Sequence, residues 1–162
     1  MADLITHGCV AIWFKAVSGR PHTPVFVAGA LAPDICSRAP SLVMALLLQN
    51  GIAVPLPLVY AWEPLHLPVG MVLLAFLVSM AFAEKNRRMI FANFLGGMFL
   101  HLFMDLFQRH IGVGYLLGFP CTTTSFEFGL MGSEATVVWV PVCVLITVVV
   151  IRVKKWRFPK NR

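Results

Sequence analysis

The residues best suited to chemistry in this chain lie where polar groups are most expensive to keep. His101 and Asp105 belong to the run Leu100-His101-Leu102-Phe103-Met104-Asp105, inside a stretch from Met89 to Phe107 that is almost entirely apolar. An imidazole or carboxylate in such surroundings needs a partner to offset its lost hydration. At i and i+4 on a helix the two side chains project from one face about one turn apart, a spacing at which both can grip one cation. A metal ion is the partner that these residue types imply.

Three further residues extend the set: His7 near the start, Asp34 after Pro33, and His66 just before the apolar stretch that begins at Leu67. Three imidazoles with two carboxylates form a mixed nitrogen and oxygen donor set suited to Zn²⁺, and also to Mn²⁺ or Fe²⁺. Structural zinc sites are closed and often thiolate-rich, whereas a catalytic ion keeps one position open for water. Five donors exceed the needs of one tetrahedral ion, so one ion or two sharing a bridging carboxylate are both open. Such an ion lowers the pKa of bound water to about 7 and polarises a phosphoryl or carbonyl oxygen. Glu63, three residues before His66, is the candidate general base or outer-shell partner; as a wet loop carboxylate it would do neither.

Each residue also has a plain explanation. His7 can be a solvated side chain near a terminus, Asp34 can shape a turn, His66 can sit at an interface, and Asp105 can pair with Arg109 at i+4. What weighs against all of these together is the arrangement of the elements that carry them.

Of the 162 residues, 59% are hydrophobic and 12% charged, with mean hydropathy +0.82. Soluble domains run at about 45–50% apolar and about 25% charged. The balance describes one membrane-embedded domain spanning 1–162 and, despite a net charge of +6, no nucleic-acid binder, because the basic residues fall in tight clusters. Leu67–Ala83 and Met89–Phe107 are the strongest helices, each approaching the length that crosses a hydrocarbon core of about 30 Å at about 1.5 Å per residue. Thr136–Ile151 is valine-rich, but an unpaired strand in lipid leaves its backbone unsatisfied, so it also reads as helix. Asp3–Val17 predicts one helix, Pro24–Ala32 a shorter one ending near Pro33, and Leu42–Tyr60 a short or re-entrant helix followed by a surface loop. The fold class is therefore all-α, a multi-helix integral membrane bundle of about five to six helices, some short or re-entrant. No signal peptide is expected, since Asp3 stands where a basic region should be. Neither an internal repeat nor a low-complexity segment interrupts the chain.

Lys15 and Arg20 flank the first turn, Lys85, Arg87 and Arg88 fill the second, and Arg152 to Arg162 hold the rest. Placing these in the cytoplasm puts eleven of 13 basic residues inside, leaving Arg38 and Arg109 outside. That orientation, fixed by loop charges alone, sends His7, Asp34, His66, His101 and Asp105 to one end, the outer one. The inner halves of the helices then hold only Asn93 and Ser79, too few polar groups for an ion pathway. His22 falls on the inner side and is excluded from the site. His110, the Gly112-Val113-Gly114-Tyr115 and Gly118-Phe119-Pro120 segments, Thr122 to Ser125 and Glu127 belong to an outer loop beside the site. Cys9 and Cys143 read as small core residues, and Cys36 and Cys121 share the outer side without a pairing motif.

The motifs ITHG near the start, GALAPDI, a histidine before the central apolar helix and HLFMDLFQRHIGVGYLLGFP occur in one order up to about Pro120. In this the chain resembles a bacterial family of inner-membrane metal-dependent hydrolases that is distantly similar to zinc-dependent phospholipase C. The resemblance implies metal ligation by His7, Asp34, His66, His101 and Asp105. Two positions depart from the family pattern: Cys36 stands where a second acid is common, and His66 stands alone where histidines are often paired. The expected function is a metal-dependent hydrolase of a phosphoester or lipid headgroup at the outer face of the cytoplasmic membrane, with membrane lipid as its partner. Two rivals use the same residues: a non-catalytic metal-binding or ion-handling membrane protein, and a structural membrane subunit without metal. The latter predicts that the polar residues face separate surroundings.

Overall fold

The computed structural model describes residues 4–19, 21–55, 57–58, 61–109, 114–132 and 135–157. The architecture is all-helical apart from one two-residue strand pair: α1 (Leu4–Ser18), α2 (Thr23–Gln49), a 3-10 turn (Glu63–His66), α3 (Pro68–Met80), α4 (Glu84–Leu106) and α5 (Ala135–Arg157). α4 lies between α2 and α3, α2 packs on α1, and α1 carries α5 on its far side. The valine-rich C-terminal segment is thus a helix, although β-branching disfavours one in water.

α2 departs from the expectation of two short helices. It runs unbroken for 27 residues through Pro33 and Pro40. A proline inside a soluble helix costs about 3 kcal/mol, and this expense suggested a break near Pro33. Packed apolar helices accommodate proline when neighbours hold the segment together. Here Pro33 is buried, and Ser37 Oγ donates to the Pro33 carbonyl at 2.7 Å while Ser41 Oγ donates to Ser37 O at 2.8 Å. Asp34 is consequently not a turn former but a buried residue in mid-helix. Residues 42–49 also belong to α2, so the predicted re-entrant element reduces to the end of this helix and the loop beyond it.

Two glycines let α2 and α4 approach closely. A Cβ at Gly29 would run into the Phe94 carbonyl oxygen, and one at Gly97 into the carbonyl of Phe26. Around this crossing, Ala32, Met71, Ala75, Phe94, Met98 and Leu102 form one core cluster and Ala11, Phe26 and Ala30 another. Many large apolar side chains point outward instead, among them Leu73, Phe76, Leu77, Val138 and Leu145. An apolar exterior around a polar interior suits lipid as the solvent. α2 and α4 are long and apolar enough to cross a membrane, with mean hydropathies of 1.4 and 1.5.

Polar bonds fix which helix ends lie together. Trp13 Nε1 donates to Thr147 Oγ1 at 2.7 Å, tying the end of α1 to the C-terminal half of α5. Lys15 Nζ donates to Asn93 Oδ1 at 2.6 Å, tying the same end to the N-terminal half of α4. The basic stretches around Lys85 and Arg152 therefore share one end of the bundle, while His7 and the His101–Asp105 turn occupy the other. Lys15 itself is not the exposed loop charge expected of it: it is 3% exposed, folded inward against Asn93.

Candidate metal centre

Side chains from four segments meet at the end of the bundle opposite the basic residues. α1 contributes His7, α2 contributes Asp34, the 3-10 turn contributes His66, and α4 contributes His101 and Asp105. His7 and His101 are fully buried, Asp105 is 1% exposed, Asp34 5% and His66 8%. Asp105 stands at the centre: its Oδ1 is 3.1 Å from His7 Nε2, and its Oδ2 is 2.9 Å from His66 Nε2 and 3.2 Å from His101 Nε2. His101 Nε2 lies 3.1 Å from His66 Nε2 and 3.7 Å from Asp34 Oδ1. The His7 and His101 rings stack with centroids 3.8 Å apart. His7, His101 and Asp105 form one compact triad of potential ligands, and Asp34, His66 and His101 form a second that shares His101.

Hydrogen bonds around the cluster determine what each ring presents inward. His101 Nδ1 lies 2.8 Å from the Ala30 carbonyl, which can only accept, so Nδ1 carries the proton. Ser37 gives its one hydroxyl proton to Pro33 O and so must accept from His66 Nδ1, 3.1 Å away. The remaining nitrogen of each ring, Nε2, is the one turned toward Asp105 and the cluster, and the two Nε2 atoms lie 3.1 Å apart. Tyr115 donates its hydroxyl proton to Asp105 Oδ2 at 2.7 Å, and Gln108 Nε2 donates to Oδ1 at 3.3 Å. Among the described residues His7 Nδ1 makes no hydrogen bond, and Nε2 approaches Asp105 without hydrogen-bond geometry.

The result is a buried cluster of imidazole nitrogens and carboxylate oxygens, a donor set that suits a cation. The spacing fits one: two atoms bonded to the same ion at about 2.1 Å lie about 3.0 Å apart at a right angle and about 3.4 Å apart at a tetrahedral angle. The contacts of 2.9, 3.1, 3.2 and 3.7 Å bracket those values. The anchored Nδ1 groups of His66 and His101 are also what ligating imidazoles have, since a partner on the far nitrogen fixes tautomer and ring orientation.

The loop after α4 closes over this pocket. Phe128 N donates to Leu106 O at 2.7 Å and Leu130 N to Phe107 O at 3.0 Å, satisfying carbonyls left over at the helix end. Tyr115 and Phe126 exchange backbone hydrogen bonds of 3.1 and 2.9 Å, and this bridge holds the phenol above Asp105, with its ring stacked on His66 at 5.5 Å.

All five proposed ligands thus come together, and the separate surroundings expected of unrelated polar residues are not seen. Asp105 does not pair with Arg109, because α4 ends at Leu106 and Arg109 falls in an exposed strand position. Glu63 opens the 3-10 turn, but its side chain lies outside the described residues, as do His110, Gly112 and Val113. Gly118, Thr122 to Ser125 and Glu127 form the outer loop without touching the cluster in any described bond. Cys36 and Cys121 are not joined by a disulfide, and the buried Cys9 and Cys143 are not in one either. Sequence reasoning missed Tyr115, Gln108, Ser37 and the Ala30 carbonyl. Ser37 carried a signal, standing three residues after Asp34 and so on its helical face, whereas Gln108 lies beyond the end of α4.

The YdjM inner membrane protein family matches residues 3–159, and the chain belongs to this family of bacterial inner-membrane proteins. No curated protein and no solved structure matches it.

Proposed function

We propose that the protein is a membrane-embedded metal-dependent hydrolase that acts on a phosphoester, a lipid headgroup being the nearest source. One observation carries this reading: buried imidazole nitrogens of His7, His66 and His101 and carboxylate oxygens of Asp34 and Asp105 face one another at ion-coordinating distances. His7, His101 and Asp105 would hold one divalent ion and Asp34, His66 and His101 offer a second position, so the site takes one ion or two, Zn²⁺ being the best match to the donor set, with Mn²⁺ or Fe²⁺ as substitutes. The ion supplies Lewis acidity toward a phosphoryl or carbonyl oxygen and a more acidic water. Ala30 O and Ser37 hold the His101 and His66 rings in the tautomers that leave Nε2 bare. Gln108 and Tyr115 orient the Asp105 carboxylate, and the Tyr115 hydroxyl is a proton carrier at the mouth of the pocket.

Orientation follows from charge. Lys85, Arg87 and Arg88 share one end with Arg152 near the end of α5, and by the positive-inside rule we take that end as cytoplasmic in a multi-pass arrangement. The metal end then faces outward, next to the outer-leaflet headgroups. The burial of every proposed ligand favours a second reading, a closed structural ion without turnover, since structural sites leave no open position. A panel of phosphomonoesters, phosphodiesters and phospholipids, assayed on purified protein with chelator and after metal is restored, separates the two. Hydrolysis that is lost to chelator and returns with Zn²⁺ or Mn²⁺ supports the enzyme. Bound metal with no turnover of any substrate class leaves the structural ion.

A further inference from the structure

The loop that follows α4 is built the wrong way round for water. A soluble stretch as long as residues 114–132 would carry about five charged residues, and this one carries a single charge, Glu127. Glu127 is half-buried, whereas its apolar neighbours are exposed: Phe126 by 46%, Phe128 by 47% and Leu130 by 70%. Alternate positions therefore turn one apolar edge outward. That edge continues the flank of α4. Phe103, half exposed near the end of the helix, meets Phe107 edge-on with centroids 5.0 Å apart. Phe107 meets Phe128 at 5.1 Å, and Phe128 meets Phe126 at 5.1 Å. This track of rings ends beside the metal cluster. Phe126 and Tyr115 exchange backbone hydrogen bonds, and the Tyr115 hydroxyl donates to Asp105 Oδ2 at 2.7 Å.

Position names the partner. α4 is apolar and long enough to span a membrane, the chain belongs to a family of inner-membrane proteins, and Phe99 and Phe103 stand exposed one turn apart on the helix. An apolar edge that continues such a flank past the end of the helix lies where hydrocarbon gives way to headgroups, the depth at which aromatic anchors sit. The adjoining run from Thr122 to Ser125 is exposed and polar, so the same loop has one side suited to water and another suited to lipid. Exposed apolar patches mark membrane or protein contacts, and continuity with the flank of α4 favours the membrane. We propose that Phe126, Phe128 and Leu130 seat this loop in the lipid leaflet at the metal end, which turns the Tyr115 side of the cluster toward lipid headgroups rather than bulk water. The seating needs no catalysis; that the lipid so reached is the substrate rests on the hydrolase reading above.

The test replaces Phe126 or Phe128 by trifluoromethylphenylalanine in the full-length protein, reconstituted in bilayers of phosphatidylglycerol and phosphatidylethanolamine, and reads fluorine relaxation. A phosphatidylcholine with a nitroxide at the top of its acyl chain reports contact with lipid, and a water-soluble gadolinium chelate reports contact with water. Phe103 and Thr123, replaced in the same way, are the lipid-facing and water-facing references. The probes at Phe126 and Phe128 should follow the nitroxide, as at Phe103, while the probe at Thr123 follows the chelate. Half of a phenylalanine ring withdrawn from water favours the seated position about fivefold, so Phe126→Ser should raise the effect of the chelate on the Phe128 probe about fivefold. Leu130→Ser, which keeps the backbone bond to Phe107, is read for the same rise if Phe126→Ser does not fold. Probes that follow the chelate, probes shielded from both agents by a second copy or another protein, or a chelate effect unchanged in the folded variant overturn the proposal. Seated rings with no hydrolysis of any phosphoester would sink the enzyme and keep the lipid contact; hydrolysis with the rings in water would do the reverse.

Discussion

Replacing Ser37 by alanine removes a hydroxyl that lies outside the cluster yet determines what His66 shows to it. Ser37 Oγ spends its proton on Pro33 O at 2.7 Å and accepts from His66 Nδ1 at 3.1 Å, which leaves His66 Nε2 bare toward Asp105 and His101. Without the hydroxyl, His66 is free to take the other tautomer, with its proton on Nε2, and a protonated Nε2 cannot ligate. Partners of this kind cost about 10–100-fold in metal affinity when removed, equivalent to about 1.4–2.7 kcal/mol. Because the serine is a neutral acceptor, the lower end, about tenfold, is expected. Helix stability should change little, since alanine is the better helix former and only a side-chain bond to an already helical carbonyl is lost. Ser41→Ala is the matched control: its hydroxyl makes the same kind of bond, to Ser37 O at 2.8 Å, with no described bond to an imidazole. Competition for Zn²⁺ between each detergent-purified variant and a chromophoric chelator reads the affinities. If Ser37→Ala and Ser41→Ala bind zinc as tightly as wild type, the tautomer argument is wrong.

Other expectations follow from the same geometry. Gly97→Leu should destabilise the bundle by about 3 kcal/mol or more, because the new side chain meets the Phe26 backbone rather than a movable side chain; thermal unfolding in detergent measures this, and a neutral result would contradict the close helix crossing. Tyr115→Phe should weaken metal affinity about tenfold, since the hydroxyl also orients Asp105, and with metal restored to saturation should lower any metal-dependent hydrolysis by about 100-fold through loss of the proton carrier; equal turnover in the saturated variant removes the phenol from the mechanism. Exposed Cys121 should react with a membrane-impermeant maleimide added to the outside of intact cells whose outer membrane has been permeabilised, whereas Cys9 and Cys143, 7% and 9% exposed, should react only after denaturation. Labelling of Cys121 only from the cytoplasmic side would invert the proposed orientation.

The sequence disclosed the site more fully than the helices that build it. His101 and Asp105 announced themselves as polar residues one turn apart in an apolar run, and the basic clusters sent His7, Asp34 and His66 to the same end. The supporting contacts were harder to see. The Ala30 carbonyl is backbone and leaves no trace in residue type, and Tyr115 reaches Asp105 only because the loop is stitched to the end of α4 by Phe128 and Leu130. Ser37 was readable as the i+3 neighbour of Asp34 but not distinguishable from any other helix serine. The fold was misread at Pro33, where the rule for helices in water was applied to a helix whose proline is buried against neighbours. Lys15 was misread for a related reason: a lysine at a helix end usually stays in solvent, and here Asn93, 2.6 Å away in space but 78 residues away in sequence, takes it in.

The central claim is that His7, Asp34, His66, His101 and Asp105 form a site for one or two divalent ions. Elemental analysis of the protein purified without chelator, side by side with folded His101→Ala and Asp105→Ala variants, tests it most directly. The account predicts one to two zinc, manganese or iron ions per wild-type chain and a loss of most of this metal in either variant. Wild type and both variants carrying the same metal content, or wild type that takes up none when it is supplied, would contradict it.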